Sequence, residues 1–239
     1  MSKIGIIDIG SNTFNLLISC TDKKKKIFSK EKYVGIREGT KKNIIQDITI
    51  SKSICVIKEF KKICKKLNCE KIYVVATASL RNALNKKKFT EKCKKETGLT
   101  INIISGNKEA QLIFDGIINN IKNLDNFVII DIGGASTEFI ITENRLPTFK
   151  KSFPFGSQLL IQKFNPSNPI KKEEIKEITI FFKKELKSLI ELLKEKKITN
   201  LLGTSGSFNC ITKIQSQNKH KKLYEELNIK YYQKKTSPV

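Results

Sequence analysis

The sequence predicts an α/β protein of two related domains, with mixed sheets flanked by helices, and three observations carry that expectation. First, Ile4-Gly5-Ile6-Ile7-Asp8-Ile9-Gly10-Ser11-Asn12-Thr13 is echoed by Phe127-Val128-Ile129-Ile130-Asp131-Ile132-Gly133-Gly134-Ala135-Ser136-Thr137. Each copy is an apolar run, then Asp-Ile-Gly, then a small hydroxyl-rich turn. A repeat this widely spaced marks two copies of one domain, because solenoid repeats are far shorter. Second, short β-rich runs alternate with longer stretches whose apolar residues share one helical face. Third, each loop is followed by a segment, Phe14–Cys20 or Glu138–Thr142, that is rich in β-branched and aromatic residues and too short for an amphipathic helix. In a P-loop or dinucleotide-binding unit the glycine-rich turn opens a helix instead. Each copy therefore reads as strand, glycine turn, strand. Glycine lets the backbone approach a ligand, and successive N–H groups in such a turn make an anion nest. Two such loops facing each other across a cleft would suit phosphate and metal.

Taken in order, Ile4–Ile9, Phe14–Cys20 and Lys26–Ile36 read as three consecutive strands. Asp47–Leu67 reads as a helix, with Ile48, Ile54, Ile57 and Phe60 spaced toward one face and Asp47 as its N-cap. Ile72–Ala76 is a short buried strand, Phe89–Thr97 a helix stopped by Gly98, and Thr100–Ile104 a further strand. Lys108–Ile118 is a helix entering beneath Ser105-Gly106. The polar stretch Asn119–Asn126 is the linker candidate and divides the chain into domains 1–120 and 121–239. The cycle then restarts, with strands at Phe127–Asp131, Ser136–Thr142 and Thr148–Phe153 and a helix at Ser157–Phe164. Pro166 and Pro169 break the chain. A long helix follows over Lys172–Lys194, and Leu201–Gly203 ends a last strand before a Gly203–Ser207 loop.

Lysine and arginine number 46 against 23 acidic residues, a net charge of +23. Such a balance usually points to nucleic acid or a membrane surface. Here only Arg37, Arg81 and Arg145 are arginines, and the chain is rich in lysine, isoleucine and asparagine, as an A/T-rich genome would write it. No basic stripe interleaved with aromatics is present, so nucleic acid is not the expected ligand. The positive field would still steer a polyanion. No apolar run reaches the length of a membrane span, and the N-terminus runs straight into a strand, so neither membrane nor leader is expected. The six cysteines form no CxxC pair and the chain has one histidine, which argues against zinc. Scattered thiols fit a reducing cytoplasm. Cys64 and Cys69 read as packing residues, and His220, within Lys219-His220-Lys221-Lys222, as a surface side chain.

The motifs resemble the actin/Hsp70/sugar-kinase superfold, and more closely the exopolyphosphatase/guanosine-pentaphosphate phosphohydrolase (Ppx/GppA) family. Asp8-Ile-Gly-Ser-Asn-Thr-Phe14 is similar to the first phosphate loop of that family. Ala76-Thr-Ala-Ser-Leu-Arg81-Asn-Ala-Leu-Asn85 is similar to its Ala-Thr-x-x-x-Arg-x-Ala-x-Asn segment. Ile104-Ser-Gly-Asn-Lys-Glu109-Ala-Gln-Leu-Ile-Phe-Asp-Gly116 resembles its catalytic-glutamate helix, Asp131-Ile-Gly-Gly-Ala-Ser-Thr-Glu138 its second phosphate loop, and Gly203-Thr-Ser-Gly-Ser207 its later glycine loop. Five motifs in family order span almost the whole chain. The resemblance implies two actin-like (ribonuclease H-like) α/β domains with a cleft between them. It implies a cytoplasmic hydrolase that releases the terminal phosphate of polyphosphate or guanosine pentaphosphate with Mg²⁺.

Under that resemblance Glu109 orients and deprotonates the attacking water, a role a carboxylate can fill in phosphoryl transfer. Read from its position alone, Glu109 is an acid complementing a helix dipole. Glu138 is a second candidate for orienting water. Asp8 and Asp131 are the expected Mg²⁺-linked carboxylates, directly or through water. Ser11, Asn12, Thr13, Gly133, Gly134, Ala135, Ser136 and Thr137 are expected to bind phosphate through backbone N–H groups and hydroxyls. Arg81, retained in a lysine-dominated chain, suits a bidentate phosphate clamp, with a helix salt bridge as the structural alternative. No role is transferred to Arg37, because Gly35-Ile36-Arg37-Glu38-Gly39 departs from the family's Arg-x-Gly-Glu-Gly order. Lys108 stands where the family has a second glutamate. The family also continues past the Gly203–Ser207 loop with helices and a final strand, so the second domain is expected to be C-terminally truncated, its sheet lacking an edge strand. A shortened chain, a decayed gene product and a homodimer covering the gap all fit that expectation. Two alternatives to the hydrolase follow: a catalytically weak phosphate or guanosine penta/tetraphosphate binder, and a small-molecule kinase of the same superfold.

Overall fold

The computed structural model describes residues 2–22 and 25–216. The chain divides into two compact units, one of the residues up to Leu112 with Gly134–Ser136, the other of Ile113–Gly133 with the residues from Thr137 onward.

The first unit is built on β1 (Lys3–Ile9), β2 (Thr13–Cys20) and β3 (Lys25–Tyr33), which run antiparallel in succession. Alternation along β1 buries Gly5, Ile7 and Ile9 on one face and leaves Asp8 on the other. A small hairpin follows, β4 (Thr40–Lys41) with β5 (Ile44–Ile45), turning through Lys42-Asn43 at φ 47° and 60°. Two residues with positive φ are what a type I′ hairpin requires, and without a glycine the sequence hides it. Helix α1 (Asp47–Lys66) packs Ile50, Ile54, Ile57, Phe60 and Cys64 into the core. β6 (Lys71–Ala76) pairs parallel with β1, the short helix α2 (Ala78–Arg81) follows, and α3 (Lys86–Thr97) is stopped by Gly98 at φ 71°. That left-handed cap is the one the sequence predicts. β7 (Ile101–Ile103) then pairs parallel with β6, giving the order β3-β2-β1-β6-β7, and α4 (Gly106–Ile118) ends the run.

Two expectations for α1 need correction. The N-cap is Gln46, in extended backbone, and Asp47 lies in the first turn, where it accepts a 2.6 Å bond from Lys88. Ile48 is 81 % exposed, because two residues before Ile50 on a helix is the opposite face.

The second unit repeats the plan. β8 (Phe127–Ile132), β9 (Thr137–Glu143) and β10 (Leu146–Phe153) are antiparallel in succession, and β11 (Leu201–Thr204) pairs parallel with β8, in the order β10-β9-β8-β11. The β9–β10 turn again uses two positive-φ residues, Asn144 and Arg145. The Arg145 guanidinium donates to the carbonyls of Leu124 and Ile118, fixing the stretch before β8. Helices α5 (Ser157–Phe164), α6 (Lys172–Glu185) and α7 (Lys187–Glu195) lie between β10 and β11.

The single long helix expected over Lys172–Lys194 is therefore two, broken at Leu186. The break brings Phe181 and Phe182 on one helix and Leu189 on the next onto the same cluster, formed by Val128, Phe139, Ile141, Phe153 and Phe155. The loop expected over Gly203–Ser207 is instead a direct passage from β11 into α8 (Ser205–Ser216), with Ser205 at φ 73°. Gly203 permits it, since a Cβ there would fall 1.9 Å from the Phe208 ring. No helix among the described residues is long and apolar enough to cross a membrane. His220 lies outside the described residues.

Candidate active site

Each repeat places its aspartate at the end of the central strand, beside a tight turn. In the first, Asp8 lies opposite Asn15, whose amide donates to it at 3.4 Å. The turn closes with Gly10 N–H on the Thr13 carbonyl at 3.1 Å. Its outer side is braced by the segment after β3. Val34 and Gly35 N–H donate to the Asn12 carbonyl at 2.7 and 2.8 Å, and Arg37 N–H donates to the Ser11 carbonyl at 2.9 Å. Arg37 thus supports the first turn through its backbone, and partial burial pushes its guanidinium below the usual arginine range. That bracing was not legible in the sequence, because backbone groups leave no residue signature.

In the second repeat Asp131 lies opposite Glu138, and Ile132 opposite Thr137. Ala135, Ser136, Thr137 and Glu138 are all buried. Gly133 accepts the Ser157 N–H at 3.0 Å, and Thr137 Oγ1 donates to the Phe155 carbonyl at 2.7 Å. Glu138, 2 % exposed, accepts a 2.7 Å bond from Ser152 Oγ. Burial raises the Asp131 carboxyl above its ordinary range, and the Thr204 and Ser205 hydroxyls pull the other way. Thr204 Oγ1 is buried without a hydrogen-bond partner of full geometry, so its contact with the Asp131 carboxyl is a loose one. Nothing in the sequence marks Ser152 as a partner of Glu138. Only the Gly203–Ser207 motif points near Thr204 and Ser205.

Glu109 lies in the first turn of α4, as the sequence predicts. Arg81, at the end of α2, reaches it: Nη1 donates to Glu109 Oε2 at 3.0 Å and to the Ile104 carbonyl at 2.9 Å. The two side chains are 22 % and 17 % exposed. Within the first unit the structure therefore joins Arg81 to Glu109 and Asp8 to Asn15. Within the second it joins Asp131, Thr204 and Ser205 at one strand end, with Glu138 opposite Asp131.

Buried side-chain oxygens nearly always have a partner. Among the described residues Asn12 Oδ1, Ser79 Oγ, Thr142 Oγ1 and Thr204 Oγ1 have none. Three of the four fall inside motifs singled out from the sequence, in the first turn, the Ala76–Asn85 segment and the Gly203–Ser207 segment. Nothing in the structure explains Thr142. Among the described residues no cluster of three acidic, histidine or cysteine side chains forms a ready metal cage. The donors present are hard oxygens, and Asp131 is a partly buried carboxylate. That donor set fits Mg²⁺, which binds through one or two carboxylates and keeps its waters and substrate oxygens.

A family model described as the Ppx/GppA phosphatase family matches residues 18–236. The chain belongs to that family. A bifunctional 3-dehydroquinate synthase/phosphatase of Fusobacterium nucleatum is 32 % identical over 215 residues, covering 84 % of this chain and 32 % of the relative. The chain thus spans about a third of that relative's length. A crystal structure of an exopolyphosphatase from Cytophaga hutchinsonii superposes with a TM-score of 0.84 at 28 % identity, over 90 % of this chain and 70 % of that one. The Aquifex aeolicus member of the Ppx/GppA family gives 0.73 at 25 % identity, with the same coverage of 90 % and 70 %. The Ppx/GppA fold, with its actin-like domains, is thus the fold of this chain.

Proposed function

We propose that this Ppx/GppA chain is a phosphohydrolase that removes the terminal phosphate of inorganic polyphosphate or of guanosine pentaphosphate. The observation that carries the proposal is Glu109, an acid in the first turn of α4 held by Arg81 in the same unit as the first phosphate turn. The exopolyphosphatase name of the Cytophaga hutchinsonii structure supports the substrate class.

In this reading Glu109 accepts a proton from water as the water oxygen bonds to the terminal phosphorus. The bond from that phosphorus to the bridging oxygen breaks, and the bridging oxygen keeps the electron pair as the new chain end. Orthophosphate and a chain one phosphate shorter result. The turns at Ser11–Thr13 and 133–137 hold phosphate oxygens through N–H groups and through hydroxyls other than that of Thr137, which is bonded to the Phe155 carbonyl. Glu138 is the second candidate for ordering the water. Asp8 in the one unit or Asp131 in the other would hold Mg²⁺, which would supply charge neutralisation for the phosphate oxygens. The net charge of +23 draws a polyanion in and makes capture salt-sensitive.

The test is phosphate release from polyphosphate and from guanosine pentaphosphate, with and without Mg²⁺, by the wild-type chain and by Glu109→Gln. Mg²⁺-dependent release that falls about 10²–10⁴-fold in Glu109→Gln is the expected result. A Glu109→Gln rate equal to wild type removes Glu109 from the base role, and an equal rate without metal removes Mg²⁺.

A further inference from the structure

Arginine at position 81 suggests a phosphate clamp when read from the sequence, and its placement in the fold suggests a different task. It closes a four-residue helix, α2, directly after β6. Its Nη1 carries two N–H groups, and the two bonds at this atom run to Glu109 Oε2 and to the carbonyl of Ile104. Ile104 is itself fixed, since its N–H donates to the Ala76 carbonyl at 3.0 Å. The arginine backbone is held too: its N–H donates to Thr77 O at 2.9 Å, and its carbonyl accepts the Lys86 ammonium at 3.1 Å. The guanidinium is thus anchored at its root by the end of β6 and at its tip by the residue after β7. The Glu109 carboxylate hangs from that fixed point.

We infer that Arg81 is a positioning residue: it holds the Glu109 carboxylate in one orientation through Nη1, and it acts on the reaction through Glu109 rather than by gripping phosphate. The physical need is clear. A glutamate in the first turn of a helix has three side-chain torsions, and ordering such a side chain costs rotamer entropy. A charge-assisted bond from a rigid, planar donor sets that orientation before substrate arrives. Lysine could supply the charge and two donors from one nitrogen, but its ammonium rotates on a flexible stem and does not fix their plane as the guanidinium does. This accounts for an arginine at position 81 in a chain that otherwise uses lysine, where Arg145 likewise spends its guanidinium on two carbonyls.

The inference rests on Glu109 being the base, and the experiment separates the two. Steady-state rates with polyphosphate are measured for wild type, Arg81→Ala, Arg81→Lys and Glu109→Gln. Binding of tripolyphosphate is measured by calorimetry in Glu109→Gln with and without Arg81→Ala. A positioning role predicts that Arg81→Ala lowers kcat about 10²-fold, the cost of a displacement of about 1 Å at a reacting group, while KM stays within about twofold. Arg81→Lys recovers only part of the rate. In the Glu109→Gln background, loss of Arg81 leaves tripolyphosphate affinity within about twofold, because no carboxylate remains to be held. Should KM rise tenfold with kcat kept, or should affinity fall tenfold in the Glu109→Gln background, Arg81 is a phosphate clamp and the inference is overturned. Should Glu109→Gln keep the wild-type rate, it is the hydrolase mechanism that fails. If Arg81→Ala does not fold, Arg81→Lys and Arg81→Gln carry the same kinetic comparison.

Discussion

The two hairpins start from one plan and are held in different ways. Each places an aspartate at the end of a central strand, and each has a parallel strand beside that one, β6 against β1 and β11 against β8. In the first repeat the residue across from the aspartate is a neutral amide, Asn15, and the turn is braced by N–H groups from the segment after β3. In the second the residue across from it is Glu138, so two acids face each other on paired strands, and a serine on the third strand holds one of them. The first unit also has the deeper core, in which Phe14, Phe60 and Phe89 are fully buried, whereas α5 and α6 of the second unit bury no residue completely. Both hairpins are held by ladder bonds and apolar burial, and the second adds a buried acid, Glu138, that favours cations and polar donors.

The largest expected difference lies in the cores. Phe60→Ala should destabilise the first unit by about 3–5 kcal/mol, whereas Ile180→Ser on the exposed side of α6 should change stability by no more than about 0.5 kcal/mol. Denaturant titration of both variants checks this, and equal losses would break the comparison. Next comes the hydrogen bond to the buried acid. Ser152→Ala takes one partner from Glu138, and about 1–3 kcal/mol should be lost, read as a fall in the denaturation midpoint. An unchanged midpoint would mean that Glu138 is satisfied without Ser152.

The smallest effect has the opposite sign. Burial raises the Asp131 carboxyl above 3.8 in the folded state, so the unfolded state gives up its proton first as pH rises. The ionised group therefore costs stability at neutral pH, and this cost vanishes as pH falls toward the unfolded value. In metal-free buffer Asp131→Asn should melt above wild type at pH 7, with the two curves converging toward pH 3.8. A lower melting temperature for Asp131→Asn at pH 7 would show that the carboxylate is better compensated than its burial implies.

The sequence alone determined the repeat, the paired hairpins, the Gly98 helix stop, the position of Glu109 in its helix and the family. Each depends on local rules: alternation, glycine conformation and short motifs whose residues are adjacent in the chain. Other features were decided by the tertiary structure. The break at Leu186 carries no glycine or proline and arises because side chains from both halves meet one core. The direct passage from β11 into α8 depends on Phe208 lying against Gly203. The brace on the first turn is made by backbone N–H groups from Val34, Gly35 and Arg37, which any sequence would possess. Arg81 was legible as an unusual residue. That its guanidinium meets Glu109, 28 positions away, could be decided only where β6, β7 and α4 come together, because an ion pair is fixed by distance in space and not along the chain.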